Sequence, residues 1–185
     1  MAVGSGMEMI HPVSGREWSL GTVAPADDEE RLLLGAQSGV IRPAENPFRG
    51  MFGMTRSDEF GNPKFHSGID LAAIPGEAVF ACADGVVARY GEQKVPPGGF
   101  GLRVYLRHKP SRGQLKNQGD QTVYAHLSGF NAELGWDRGY PIRAGYLIGW
   151  AGFSGNATGE ECHVHFGVKV GGSWVDPLEW VRENS

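Results

Sequence analysis

The sequence predicts a mainly β domain with a short N-terminal helix and a C-terminal helical turn. Three observations predict it. Glycine is abundant, 29 residues beside 11 prolines in a chain of 185. These breakers fall between short β-branched and aromatic runs, which is how strands joined by turns read. A hydrophobic share of 41% with 21% charged residues is ordinary for a globular chain, and the length suffices for one domain with a substantial core.

Residues 1–45 differ from the rest and read as an N-terminal arm, with Met1 to Gly6 as an added leader and Met7 as the natural start. Within the arm, Asp27 to Gly35 reads as a helix. Its acidic first turn complements the helix dipole, and a glycine follows the last apolar residue. Residues 46–185 read as the β domain. Ala78 to Ala88 places short apolar residues around Asp84-Gly85, the signal of a hairpin turn. Leu102 to Arg107 alternates apolar and basic residues, as a half-exposed strand does. Lys109 to Asp120 is polar, holds Pro110, Gly113 and Gly119, and reads as a surface loop. Strands follow at Thr122 to His126, Gly145 to Trp150 and Cys162 to Val170, with a Gly/Ser/Asn loop over 152–159. Asp176-Pro177 opens the closing helical turn, Asp as cap and Pro at the first position.

Composition excludes several functions. The formal net charge is −4 and no basic tract is present, which argues against nucleic acid or an anionic membrane as partner. No stretch is apolar enough to insert into a bilayer, and no signal peptide is visible. Cys82 and Cys162 are read as two packed thiols.

The chemistry-bearing residues fall in three blocks. They are Phe65-His66-Ser67-Gly68-Ile69-Asp70, Tyr124-Ala125-His126-Leu127 and His163-Val164-His165-Phe166, which hold four of the six histidines. A His-x-x-x-Asp pair plus a distant His-x-His supplies three ligands of the right hardness for zinc, with a fourth position for water. Such an open site serves hydrolysis rather than structure. Gly68 and Pro75-Gly76 argue against a helix, so a loop-to-strand segment must bring His66 and Asp70 together. His163 and His165 are two apart in a strand and share a face. One of them can bind metal while the other stands over the cleft, where His126 can join it. Unligated histidines there can accept and donate protons near neutral pH. His11 is read as N-terminal surface and His108 as a strand-end residue.

At these blocks the chain resembles the lysostaphin-like (LytM-type) zinc endopeptidases, which cut peptidoglycan peptides. The resemblance runs in order from about Asn46 to Pro177. It takes in Phe52-Gly53-Met54-Thr55-Arg56, His66 to Ala72, Ala83-Asp84-Gly85-Val86-Val87, Gly99-Phe100-Gly101, Tyr124 to Leu127, Gly145 to Gly149 and Gly155 to Phe166. It implies a two-layer antiparallel β-sheet fold whose sheet and loops form a narrow substrate groove. It implies that His66, Asp70 and His165 bind one Zn2+, and that His126 and His163 are catalytic. The sequence departs from the family's pattern at Val164, at Gly167 where an acidic residue is common, and at Glu160-Glu161-Cys162. The stretch ahead of His66 offers Phe60 and Phe65 where many members have a tyrosine that helps hold the transition state.

The resemblance therefore implies a zinc-dependent hydrolase of peptidoglycan stem or cross-link peptides, acting in the periplasm or at the cell wall. The alternative is a non-catalytic relative that binds a partner in the groove and regulates wall hydrolysis; bound zinc separates the two. The route to the wall is open among a phage component, a secreted effector with an immunity or delivery protein as partner, and a trimmed periplasmic enzyme.

Overall fold

A computed structural model describes residues 7–21, 24–93, 99–109, 119–133, 135, 137–157 and 161–185. Most of the loop expected over Lys109 to Asp120, and part of that over 152–159, lie outside the described residues. The fold is β-rich with two helices, α1 (Asp28–Gln37) and α2 (Pro177–Asn184). The strands, in chain order, are β1 (Gly53–Ser57), β2 (Pro63–His66), β3 (Ile69–Ala72), β4 (Ala78–Phe80), β5 (Gly85–Gln93) and β6 (Gly101–Arg107). They continue with β7 (Gln121–Phe130), β8 (Pro141–Ile142), β9 (Leu147–Ala151), β10 (His163–Val170) and β11 (Ser173–Val175).

β1 and β2 form a two-stranded ribbon of their own. The larger sheet runs β11-β10-β7-β6-β5-β8, with β3 on β10 and β4 joined through β9 to β7. All pairings are antiparallel. β7 is the hub. Its first half pairs with β10 and its second with β9, while β6 runs along its other edge.

The expected hairpin about Asp84-Gly85 is not formed. β4 pairs with β9, whereas β5 pairs with β6 and β8. Between them Ala81, Cys82 and Ala83 are fully buried, so the chain crosses through the core instead of turning on the surface. The Asp84 carboxylate accepts from Ala144 N at 2.9 Å, tying this crossing to the turn after β8.

Helix α1 starts where its caps dictate. Asp27 Oδ1 accepts from Glu30 N at 2.9 Å, and Glu30 Oε2 accepts from Ala26 N at 2.7 Å, a reciprocal box at the first turn. The helix does not stop at Gly35, as expected, but runs on to Gln37. Gly35 is there for packing: a Cβ would meet Met51 Sδ at 2.5 Å. The left-handed residue that follows the helix is Gly39, at φ 69°. Helix α2 is longer than the single turn expected, and Asp176 caps it by accepting from Leu178 N at 3.0 Å. Arg31 of α1 also reaches Asp176, at 3.3 Å, so the two helices share one carboxylate.

The core joins Leu71, Tyr124, Ile148, Val164 and Phe166 to Met9, Val13, Trp18 and Val40 from the N-terminal 45 residues. Each large apolar side chain buried this way contributes roughly 1.5–3 kcal/mol. His11 is half-buried rather than a surface residue. Its Nε2 lies 2.9 Å from Ser38 O and its ring meets Trp18 edge-on at 4.9 Å, which fastens the arm to the end of α1.

His108 does follow β6, but it is buried. Its Nδ1–H donates to Asp84 O at 2.8 Å, and Nε2 faces the Thr122 hydroxyl at 2.9 Å. Burial holds its pKa below the ordinary histidine value, against the Asp84 carbonyl and the charges of Asp120 and Asp84. The folded chain therefore keeps His108 neutral where the unfolded chain begins to take up a proton, near pH 6.5. Its stabilising contribution is complete above that pH and is lost as pH falls below it. Melting temperature should drop between pH 7 and pH 5 more steeply in the natural chain than in His108→Gln. Parallel slopes would remove His108 from the account. The comparison is needed because His126 and His165 are also lowered.

Candidate metal centre and catalytic cleft

The register of β10 on β3 makes His165 and Asp70 direct cross-strand partners, with His163 opposite Ala72. Directly opposed residues point to one face, so this ladder places a carboxylate and two imidazoles together. His66 arrives from the end of β2, and Ser67-Gly68 turn the chain into β3. Gly68 is required there by close approach. A Cβ would collide with Phe166 O and meet His165 Nε2 at 2.8 Å. Gly68→Ala should displace the His165 ring and weaken metal binding, read as zinc affinity by competition with a chromophoric chelator. Unchanged affinity would show that the ring tolerates the shift.

His66, Asp70 and His165 offer ligand atoms that all lie within 4.8 Å of one another. His66 Nε2 is 3.1 Å from Asp70 Oδ1 and 3.0 Å from His165 Nδ1, and His165 Nδ1 is 3.2 Å from the same Oδ1. His66 Nδ1–H donates to the Met51 carbonyl at 2.8 Å, which leaves Nε2 as a lone pair aimed at the cluster. That outer bond fixes the tautomer in the manner usual for metal-binding histidines. Two imidazole nitrogens and one carboxylate oxygen, all buried, form a donor set suited to zinc. Phe100 stacks on the His165 ring at 4.9 Å and holds its plane.

Charge in the cluster is uneven. Burial pulls the Asp70 carboxyl upward, but hydrogen bonds with His165 and His66 and the charges of His66 and Arg56 outweigh it. Asp70 is held well below the ordinary carboxylate range. Burial pushes His165 down to about 4, against its bond to Asp70. Arg56, on β1, contacts Asp70 Oδ2 and lies 3.0 Å from His66 Nε2. In the sequence Arg56 is marked only as the last residue of the Phe52 to Arg56 block. Nothing in the linear spacing shows that the ribbon folds back over the histidines.

His126 reaches the cluster by an irregularity. Ala125 lies opposite His165, so a regular β7 would turn the next side chain to the other face. Instead His126 adopts φ 63°, the one non-glycine positive φ among the described residues, next to a register shift. Such a conformation costs of order 1–3 kcal/mol. Its ring then sits 4.9 Å from His163 and 6.0 Å from His165. His126 N donates to Phe100 O at 2.9 Å, and Nδ1–H donates to Ser154 O at 2.8 Å. Ser154 is itself pinned, its hydroxyl donating to Leu127 O at 2.7 Å. His163 is oriented in the same way, Nδ1–H donating to Glu161 O at 2.7 Å, with Nε2 3.8 Å from Asp70 Oδ1. Both rings thus keep Nδ1 on the backbone and turn the other nitrogen elsewhere. Burial, then the neighbouring His165 and His163, pushes His126 down to about 3. Its ring is neutral at neutral pH, with the lone pair on the nitrogen that Ser154 does not occupy.

His126 and His163 line a cleft of about 810 Å³, with Arg49, Arg56, Phe60 and Lys64 among its other walls. Cys162, next to His163, takes no part in the cluster. Its thiol faces Gly152 O at 3.5 Å, and Cys82 is held protonated by burial, pushed up to about 12. Both thiols are free and buried.

A fold of antiparallel strands that sets a buried His/Asp/His cluster beside two further histidines has the side chains a metal-dependent hydrolase needs. The model of peptidase family M23 matches residues 64–177, and the chain belongs to that family. The DD-carboxypeptidase/endopeptidase Mpg of Neisseria meningitidis is 36% identical over 115 residues, 62% of this chain and 22% of that protein. A glycyl-glycine endopeptidase of Staphylococcus capitis is 33% identical over 102 residues, 55% of this chain and 24% of its own length. The chain thus spans less than a quarter of these curated relatives. Among solved structures, a zinc containing peptidase from Vibrio cholerae aligns with TM-score 0.55 at 26% identity, over 69% of this chain and 34% of that one. The catalytic domain of lysostaphin from Staphylococcus simulans aligns with TM-score 0.53 at 25% identity, over 72% and 89%. The lysostaphin-like resemblance and the mainly β, antiparallel fold are thereby established.

Proposed function

We propose that the chain is a zinc-dependent endopeptidase that hydrolyses peptide bonds in peptidoglycan stems or cross-links, working at the cell wall or in the periplasm. The observation that carries this reading is the company the donor cluster keeps. Two backbone-anchored imidazoles, His126 and His163, stand beside it and line the same cleft. A purely structural metal site has no use for them. The M23 family and the endopeptidase names of the relatives support the substrate class.

In this reading His66, Asp70 and His165 hold the ion. Zinc supplies a Lewis acid that activates water and polarises the scissile carbonyl. Asp70 lowers the net charge of the cluster, and its bonds to the imidazoles fix their planes. His126 accepts the proton of the attacking water, because burial keeps its ring neutral and Ser154 occupies its other nitrogen. The proton taken up by His126 passes to the leaving amine, while His163, its Nδ1–H held by the Glu161 carbonyl, turns Nε2 to the cleft and in its protonated form would donate to the developing oxyanion.

Digestion of purified sacculi followed by mass spectrometry of the muropeptides tests this. New peptide ends should appear, vanish after chelation and return with added zinc. Unchanged muropeptides, with zinc bound, would overturn it.

A further inference from the structure

The ribbon of β1 and β2 ends in a tip with an unusual economy. The Asp58 carboxylate makes three of the bonds that organise it. Oδ1 accepts from Phe60 N at 2.9 Å and from Asn62 N at 2.8 Å, and Oδ2 accepts from Asn62 Nδ2 at 2.9 Å. Backbone bonds from Asp58 N to Asn62 O at 2.9 Å and from Gly61 N to Asp58 O at 3.1 Å close the turn, and Gly61 takes φ 83°. This bracing buries nothing. Phe60, at the centre of the tip, is 81% exposed. The other phenylalanine of the ribbon, Phe65, packs edge-on against Phe52 at 5.2 Å. Single exposed apolar residues are common and need no cause. Phe60 differs by its place: it lines the same cleft as His126 and His163. A turn fixed by five hydrogen bonds thus presents an uncovered aromatic ring on the wall of the cleft that the two histidines line.

We infer that Phe60 is a specificity-determining residue, a rigid platform that packs against an aliphatic side chain of the substrate peptide close to the scissile bond. This rests on the peptidase reading. A peptide is favoured over a sugar as occupant because the ring lines the cleft with the histidines at which a peptide bond would be cut. Asp58 is a positioning residue that acts through the turn. Fixing the backbone turn before binding removes the ordering cost that a mobile loop would add.

Binding is measured on glycan-free cross-linked peptides, released from sacculi by an amidase, with the zinc-loaded His126→Ala chain so that the substrate persists. Adding Phe60→Ala should weaken the Kd about tenfold, the loss of part of one aromatic burial. Zinc content and melting temperature should stay unchanged. Phe60→Leu should keep most of the affinity. Asp58→Ala should reproduce the loss, and Asp58→Asn should restore binding, since its amide oxygen can accept the same backbone N–H groups. An unchanged Kd in Phe60→Ala overturns the inference. So does a loss seen on intact sacculi but not on glycan-free peptides, which would make the contact one with sugar. The readout needs no turnover. Failure of the muropeptide digestion with the Phe60 effect intact would remove the peptidase reading alone.

Discussion

Asp70→Ala should lose its zinc on dialysis and with it essentially all activity. Asp70 is the only anionic member of the cluster. It lies 3.1 Å from His66 Nε2 and 3.2 Å from His165 Nδ1, so both imidazoles are positioned through it. A three-ligand site has none to spare. Losing merely an outer partner of a ligand costs roughly 10–100-fold in affinity, so the loss here should exceed that. The substitution also removes the anion that Arg56 contacts, leaving a guanidinium 3.0 Å from His66 Nε2. The charge effect and the shape effect separate in Asp70→Asn, which keeps the volume and should still bind zinc poorly. Metal content by mass spectrometry after equilibration with excess zinc reads both variants. A stoichiometric, tightly held ion in Asp70→Ala would mean that the site is elsewhere.

The grouping of the candidate ligands was more legible in the sequence than the scaffold that brings them together. Two residues apart in a strand means one face, and β10 places His163 and His165 so. Gly68 forbade a helix between His66 and Asp70, and β2 turns into β3 there. What spacing does not carry is which strands meet. Asp84-Gly85 has hairpin chemistry, but the all-small run Ala81-Cys82-Ala83 is cheap to bury and takes β4 and β5 to different partners. Gly35 looked like a helix stop, and its purpose is contact with Met51, sixteen residues on. His126 was read as lying on a strand of its own, and it does. That it meets His163 depends on a positive φ that no pattern of polar and apolar residues records. Arg56, Ser154 and the carbonyls of Met51 and Glu161 were invisible for the same reason: they act through contacts set by the finished sheet.

His126→Ala and His163→Ala should each retain one zinc and lose roughly 10²–10⁴ in kcat, the range expected of acid–base groups, with a single oxyanion donor nearer 10²–10³. Neither ring is needed to close the donor cluster, whose three atoms contact one another directly. The two should differ when glutamine replaces histidine. A glutamine amide can donate a hydrogen bond but cannot take a proton at neutral pH. At position 163, where donation to the oxyanion is the proposed task, His163→Gln should recover part of what His163→Ala loses. At position 126, where a lone pair is the task, His126→Gln should be as inactive as His126→Ala. The neutral state of His126 supports that split. Its Nδ1–H is held by the Ser154 carbonyl and its ring is neutral, so the lone pair lies on the other nitrogen. Steady-state kinetics on one cross-linked peptide, with zinc content measured on each variant, decides. Recovery at position 126 and none at position 163 would reverse the two roles, and loss of zinc from either alanine variant would make that histidine a ligand.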